Sequence, residues 1–592
     1  MLFGSRTIYT MVAVSGLAIL VAACGNPPKG PEKKPVEPVE PPAALKQKAQ
    51  KAQKKQEPKE NLPNVELTQE LLFQLLVAEM AGYRGELGIA INSYLQAAVQ
   101  TRDPRMAERA VRIALYANDL KAANIAAKLW VEVSPANIDA RMMLGLMYLR
   151  TADMPAATQA FTQVVERHPV GKGKAVSIVG AHLLREKDKS AALQVMQNLA
   201  TSYSDVLEIY YVISKLAEQT GDLSIAQQSI EKAIAVQENV VELNIQYARL
   251  LTLQGKTKQA LAFLETAIEK QPEEKILRLT YARMLLEERR FKDAREQFEF
   301  LLSKSPENED ILYALGILGI QMDDLDMAEK HFLTLAEKDK RRDEANFYLG
   351  QIVERRGNLP AAVNLLKQVR AGSFYFESRL RIATMMVKTV GLDAALDFLR
   401  NVEHKDEKQQ VRLFLAEGEM MREAGSYQRA MKHFDKSLET IPNHTDLLYA
   451  RALIAEKIDR LDILMRDLQS ILDVKPDHAH ALNALGYTLA DRTARYNEAL
   501  KYIQRALELK PNDASVVDSM GWVQYRLGNY DRSISYLRRA LELNKDPEIA
   551  AHLGEVLLAK GDKAGAYEAI KTGLEVSPDD KQLLELLKQT QP

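Results

Sequence analysis

Three places in this 592-residue chain hold side chains whose type and spacing could do chemistry. The first is Cys24, the one thiol in the sequence, which follows Val21, Ala22 and Ala23 at the end of an uncharged apolar run. A lone thiol can act as a nucleophile or take up an acyl group, but it can close no internal disulfide. The second is Asp477-His478-Ala479-His480, where two imidazoles could ligate a metal. Two residues apart at a helix start they point in different directions, so a turn followed by a first helical residue is the better reading. The third is Asp323, Asp324 and Asp326. A calcium loop also needs a glycine and a later glutamate at fixed spacing, and these are missing here. Carboxylates ahead of a helix beginning near Met327 more simply cap it and favour its positive end. With no phosphate-cradling loop and no glycine-rich dinucleotide turn, the chain is expected to have no cofactor, no metal and no catalytic residue, and not to be an enzyme.

Cys24 has a context of its own. Arg6 precedes an apolar stretch, residues 8–23, that is short for a membrane span and ends in small residues, as a secretion signal does. The tetrapeptide Val21-Ala22-Ala23-Cys24 resembles the lipobox of bacterial lipoproteins. That resemblance implies removal of residues 1–23, a diacylglyceryl group on the Cys24 thiol and a fatty acyl chain such as palmitate on the new amino terminus. Several acyl chains hold a protein to a bilayer far more firmly than one. Gly25 stands where an inner-membrane retention signal usually has aspartate, which implies the outer membrane, with the protein facing the periplasm. Residues 24–63 are rich in Pro, Lys, Glu, Gln and Ala and almost free of large apolar side chains, so they read as a tether that does not fold alone. Extended at about 3 Å per residue, such a tether reaches up to roughly 100 Å. Its lysine-rich stretch, residues 43–55, reads as a solvated spacer in preference to a patch for anionic lipid or cell wall.

The elements that would carry any function repeat. A small or apolar residue recurs every 33 to 35 positions: Ala90, Ala123, Ala157, Ala192, Ala226, Ala260, Ala294, Ala328, Ala362, Ala395, Ala430, Leu464, Ala499, Ser533 and Ala566. Eight of these markers are followed twelve residues later by proline, from Pro135 to Pro578. A glycine often stands five before the marker, as at Gly528, where a helix must stop and the chain reverse. Twelve before it lies another small residue, such as Gly145 or Gly521, which lets two helices touch. Leu482, Leu485 and Leu489, then Leu500, Ile503 and Leu507, have the i, i+3, i+4 spacing of buried helical stripes. Each period is therefore a helical hairpin. The run Leu144, Gly145, Ala157, Phe161 and Pro169 resembles the tetratricopeptide repeat. This implies an all-α superhelical solenoid of about fifteen hairpins over residues 64–592. The units at 171–205 and 372–410 lack the terminal proline and are expected to be distorted or to bend the array. One hairpin cannot bury its own apolar faces, so stability comes from stacking.

With 79 basic and 80 acidic residues the chain is nearly neutral, which argues against a general nucleic-acid binder. In arrays of this family the first helix of each hairpin lines the inner, concave surface. Positions on it that stacking does not need include Arg283, Tyr313, Phe347, Gln351, Tyr449, Asn483, Tyr487, Asp518 and Trp522, expected to meet a protein partner. Leu71, Leu72, Leu75, Leu76 and Met80 of the first hairpin are expected to hold a second partner. Architecture and size also resemble the large LbcA-like tetratricopeptide lipoproteins of Pseudomonas-like bacteria. That resemblance implies a non-catalytic adaptor binding and stimulating a periplasmic serine protease of the carboxyl-terminal processing family. It would deliver protein substrates such as hydrolases of peptidoglycan cross-links and so regulate the cell wall by proteolysis. The alternative is a scaffold lipoprotein for outer-membrane assembly or exopolysaccharide export.

Overall fold

The computed structural model describes residues 62–338 and 340–590. Cys24, the signal stretch and nearly all of the tether lie outside the described residues. Among those described there are 31 helices and no strand, and none of the helices is long and apolar enough to cross a membrane. Thirty of the helices form fifteen consecutive pairs, from Gln69–Arg84 with Leu87–Thr101 to Pro547–Lys560 with Lys563–Val576, and Lys581–Thr590 closes the series. The chain divides into two compact units: seven pairs up to Pro306, and eight pairs with the closing helix from Glu307 onward.

The fifteen markers all fall on the fourth residue of a second helix, and all are buried. All but Leu464 are small, and where the pair closes the first helix of the same pair lies against them. The glycine twelve earlier faces a different neighbour, the side chain four residues beyond the marker. A Cβ added to Gly145 would sit 2.7 Å from Phe161 Cε1, and one added to Gly521 would sit 2.6 Å from Leu537 Cγ. Glycine thus makes the groove into which the large side chain of the second helix descends.

At twelve of the fifteen markers the residue five before takes the left-handed conformation. Gly528 has φ 82° at no steric cost, but Ala152 (60°), Arg289 (56°) and Asp459 (58°) take it as well. Packing of the two helices therefore imposes this turn on Ala152 and Arg289, which disfavour it. Side-chain caps start many helices: Asp324 Oδ1 accepts from the Met327 amide at 3.0 Å, and Asp513 Oδ1 from Ser515 at 3.1 Å.

The pair in 171–205 departs from the pattern. Helices Lys172–Leu183 and Lys189–Ala200 scarcely touch each other. Both pack chiefly on Leu207–Thr220 of the next pair, and the second also touches Met154–Arg167 of the pair before. Gly180 accordingly cradles Val212, whose Cγ2 would lie 2.4 Å from an added Cβ, where the regular pattern has a residue of its own second helix. The pair in 372–410 keeps hairpin contact but has a second helix of 9 residues, Leu392–Arg400.

Candidate partner-binding face

Asp324, Asp326, His478 and His480, singled out for chemistry, have structural partners. Asp324 caps its helix, and Asp326 pairs with Arg356 Nη2 at 2.5 Å. His478 Nδ1 accepts from the Ala481 amide at 3.1 Å as the N-cap of Ala479–Arg492, and His480 Nε2 lies 2.9 Å from Lys510 Nζ. Among the described residues no group of three or more His, Cys, Asp or Glu side chains could hold a metal ion.

In the first unit, the opening helix Gln69–Arg84 buries Leu71 and half-buries Leu75 against the core, and leaves Leu72, Leu76 and Met80 exposed. Phe73, 70% exposed, and Tyr83, 96% exposed, fall on the same side of the helix. At 100° per residue the five exposed positions share about a third of the circumference. Sequence reading missed the last two, although Phe73 three before Leu76 and Tyr83 three after Met80 were the available signal. Further along, Arg283 is half-buried and its Nε has no hydrogen-bond partner.

In the second unit the expected residues gather in two groups. Tyr313 and Phe347 are buried in an aromatic cluster. Tyr313 and Tyr348 hydroxyls lie 3.2 Å apart, Phe332 stacks on Tyr348 with centroids 5.0 Å apart, and Phe347 stacks on Phe374 at 4.5 Å. The Arg341 guanidinium sits 4.8 Å from the centre of the Tyr313 ring. Burial, then the Tyr348 hydroxyl and the Glu344 charge, push the Tyr313 phenol far above its ordinary range. Gln351, on the same helix as Phe347, is buried and its Nε2 has no partner.

The second group joins four successive first helices, from Thr445–Lys457 to Pro547–Lys560. His552 is its centre, and sequence reading did not find it. Its Nδ1 lies 3.0 Å from both carboxylate oxygens of Asp518, its Nε2 lies 3.3 Å from the Tyr487 hydroxyl, and its ring stacks on Trp522 at 4.3 Å. Although burial opposes it, the Asp518 carboxylate together with the Glu548 and Glu555 charges raises the His552 pKa. Protonated, the imidazole donates from both nitrogens, one to Asp518 and one to Tyr487. Trp522 Nε1 donates to Asp491 Oδ1 at 3.3 Å. Burial, then the charges of Glu548, Asp491, Asp518 and Glu456, hold the Tyr487 phenol protonated well above its usual range. Burial, then Glu456 and Asp513, push the Tyr449 phenol up to about 12. Asn483, one helical turn before Tyr487, is 2% exposed and its Oδ1 accepts no hydrogen bond.

The nine expected positions therefore carry three buried polar atoms without partners: Arg283 Nε, Gln351 Nε2 and Asn483 Oδ1. Such atoms are costly in a folded chain unless a ligand satisfies them.

Tetratricopeptide-repeat profiles match residues 139–169, 207–240, 251–299, 285–345, 320–375, 479–513 and 519–580. The TPR repeat-containing protein PA4667 of Pseudomonas aeruginosa is 32% identical over 491 residues, covering 82% of this chain and 82% of its own. The chain is a tetratricopeptide-repeat protein. Among solved structures it is similar to yeast Tom70, at 15% identity and TM-score 0.35 over 71% of this chain and 94% of the other. It is also similar to the APC/C hetero-tetramer Cut9-Hcn1, at 15% identity and TM-score 0.33 over 81% and 95%. Tetratricopeptide repeats are protein-interaction scaffolds, typically without catalytic function, and this tetratricopeptide-repeat protein shares that scaffold role.

Proposed function

We propose that this protein is a non-catalytic adaptor, anchored in the outer membrane through acylated Cys24 and facing the periplasm. It binds and stimulates a serine protease of the carboxyl-terminal processing family and brings to it protein substrates such as peptidoglycan cross-link hydrolases. The observation that supports a scaffold with more than one partner is the presence of two unlike surfaces. The first helix offers an exposed apolar stripe, Leu72, Phe73, Leu76 and Met80, and the later first helices carry aromatic rings beside unmatched polar atoms. The Cys24 lipobox and the LbcA-like resemblance support the anchor and the protease.

No catalytic side chain is needed. Holding protease and substrate on one scaffold raises their effective concentration, to the millimolar range where reach and site separation match. A scaffold that prefers the active conformation of the protease also shifts it toward that state.

The test is capture of periplasmic proteins on the immobilised chain, with the captured proteins assayed for peptide cleavage with and without the scaffold. A serine protease that cleaves faster in its presence is the expected result. Recovery of outer-membrane barrels or polysaccharide-export proteins without a protease would overturn it. Deleting residues 64–100 should abolish one interaction and spare the other, and loss of both in a variant that keeps its helical circular dichroism contradicts the two-surface arrangement.

A further inference from the structure

The two ends of the helix series are finished differently. The closing helix Lys581–Thr590 buries Leu583 and Leu586, and its exposed residues are polar apart from Leu584. A repeat array needs such a polar outer face at each end, because the last unit has no neighbour to cover it. The opening helix Gln69–Arg84 lacks one. It buries Leu71, Ala78 and Ala81 and presents Leu72, Phe73, Leu76, Met80 and Tyr83 outward.

Four of these five outward residues form a coiled-coil seam. Phe73, Leu76, Met80 and Tyr83 are spaced three, four and three apart, the a and d positions of two heptads, while Ala78 and Ala81 lie on the buried side. A seam of this kind is closed by another helix with the same pattern. Along one flank of it stand Glu70, Val77 and Arg84, seven apart. Glu70 and Arg84 are exposed, about 21 Å apart along their own helix, and neither has an ion pair among the described residues. In reverse order this flank runs Arg84, Val77, Glu70, which complements the forward order charge for charge. The other flank holds Leu72 and Glu79. The Glu79 carboxylate accepts from the Tyr94 hydroxyl and lies 3.7 Å from Arg109 Nη2, so its charge is met within the chain. A helix made to lie on a bilayer carries mostly lysine and arginine beside its apolar stripe, whereas Glu70 and Glu79 flank this one.

We propose that the opening helix pairs with the same helix of a second copy of this chain, antiparallel and about a two-fold axis. Phe73 then packs on Tyr83 of the second copy and Leu76 on its Met80, and each of these layers occurs twice. Glu70 meets Arg84 of the second copy at both ends, and the two Val77 side chains meet near the axis. Two heptads are short for free helices, but this helix is already held against Leu87–Thr101, so pairing costs no helix nucleation. The proposal rests on the reading of this stripe as one of two partner surfaces, and it names the partner. A pair of chains carries the aromatic face of the later helices twice, so protease and substrate can sit on different copies.

The test is self-crosslinking of the full-length chain in the membranes of cells that make it. In the parent chain Cys24 is the one thiol and sets the background. Val77→Cys should give a disulfide-linked dimer under mild oxidation, whereas Tyr116→Cys, at an exposed position of the next hairpin, should not. Adding Arg84→Glu to Val77→Cys sets like charges together at both ends and should cut the dimer yield about tenfold. Adding Glu70→Arg as well should restore it. No excess of dimer over the parent, an equal yield from Tyr116→Cys, or no recovery on charge exchange overturns the pairing. Sedimentation velocity of the parent chain in detergent, with the micelle mass subtracted, should show two chains per particle, and one chain overturns the pairing whatever the cysteine variants do. A single chain that still captures its periplasmic partners sinks this inference and leaves the scaffold standing. A dimer that captures no periplasmic protein does the reverse.

Discussion

The pairs Ala514–Arg526 with Tyr530–Leu543 and Lys172–Leu183 with Lys189–Ala200 use helices of 12 to 14 residues, yet they close differently. In the first pair the connection is Leu527, Gly528 and Asn529, with Gly528 left-handed, and the two helices lie together with Leu537 over Gly521. In the second the connection, residues 184–188, is longer and has no left-handed residue five before the marker, and the helices part. Gly180 still makes a groove, but Val212 of the next first helix fills it. A short connection, and not the left-handed residue itself, goes with own-pair packing, since residues 493–495 hold no left-handed residue and Gly486 still receives Ile503 of its own second helix. The solenoid tolerates the exchange because burial is conserved: Ala192 and Ser533 are both fully buried.

The largest effects should be common to both kinds of pair. Ala294→Glu in a regular pair and Ala192→Glu in the parted one each place an unpaired carboxylate at a fully buried position, costing about 3 kcal/mol or more. Thermal melting checks both, and a curve unchanged from the parent's would contradict the stacking role of the marker.

Next come the glycine grooves, where the two regions should part company. Gly521→Ala and Gly180→Ala should each cost about 1–3 kcal/mol by overpacking. In double-mutant cycles read by urea denaturation, Gly521→Ala should couple to Leu537→Ala. Gly180→Ala should couple to Val212→Ala and not to Met196→Ala, the residue four beyond its own marker. Coupling to Met196 instead would mean the parted pair closes as the others do.

A smaller difference is expected at the turns. Gly528→Ala forces a Cβ into the left-handed region at about 1–2 kcal/mol, whereas Lys187→Gly, five before the Ala192 marker, should change stability by no more than a few tenths of a kcal/mol.

The smallest effect is one of pH and separates hairpins joined by His552 from those without such a group. Because its folded pKa is raised, His552 adds stability that is fully present below its unfolded value, about 6.5, and is lost as pH rises through the higher folded value. Hydrogen exchange of Pro547–Lys560 should therefore quicken relative to Lys172–Leu183 as pH rises above 6.5, after correction for intrinsic rates. His552→Gln should remove the difference, and a difference that survives assigns it to another group.

Much of the repeat architecture was legible because each constraint is local and recurs. A small residue at the fourth position of a second helix, a glycine at a tight turn and a glycine under a large side chain leave a mark in every period. The non-glycine turns at Ala152 and Arg289 were not legible, since nothing in those residues favours a left-handed backbone. His552 was hidden for a different reason. Its partners Asp518, Tyr487 and Trp522 come from two other repeats, and no spacing in the chain marks that meeting. Of the nine expected partner-face residues, six are buried and Arg283, Tyr449 and Tyr487 are half-buried. Position along a helix specifies a face, but exposure depends on what the adjoining repeats place over it.

Residue order alone set the helices, the glycine turns and the period, because helix length, capping and the size of a side chain at a contact act within a few residues of one another. Which helix fills the Gly180 groove, and which charges surround Tyr487, were settled by packing. Those choices depend on surfaces from separate repeats meeting at van der Waals and hydrogen-bond distance, and no single repeat contains that information.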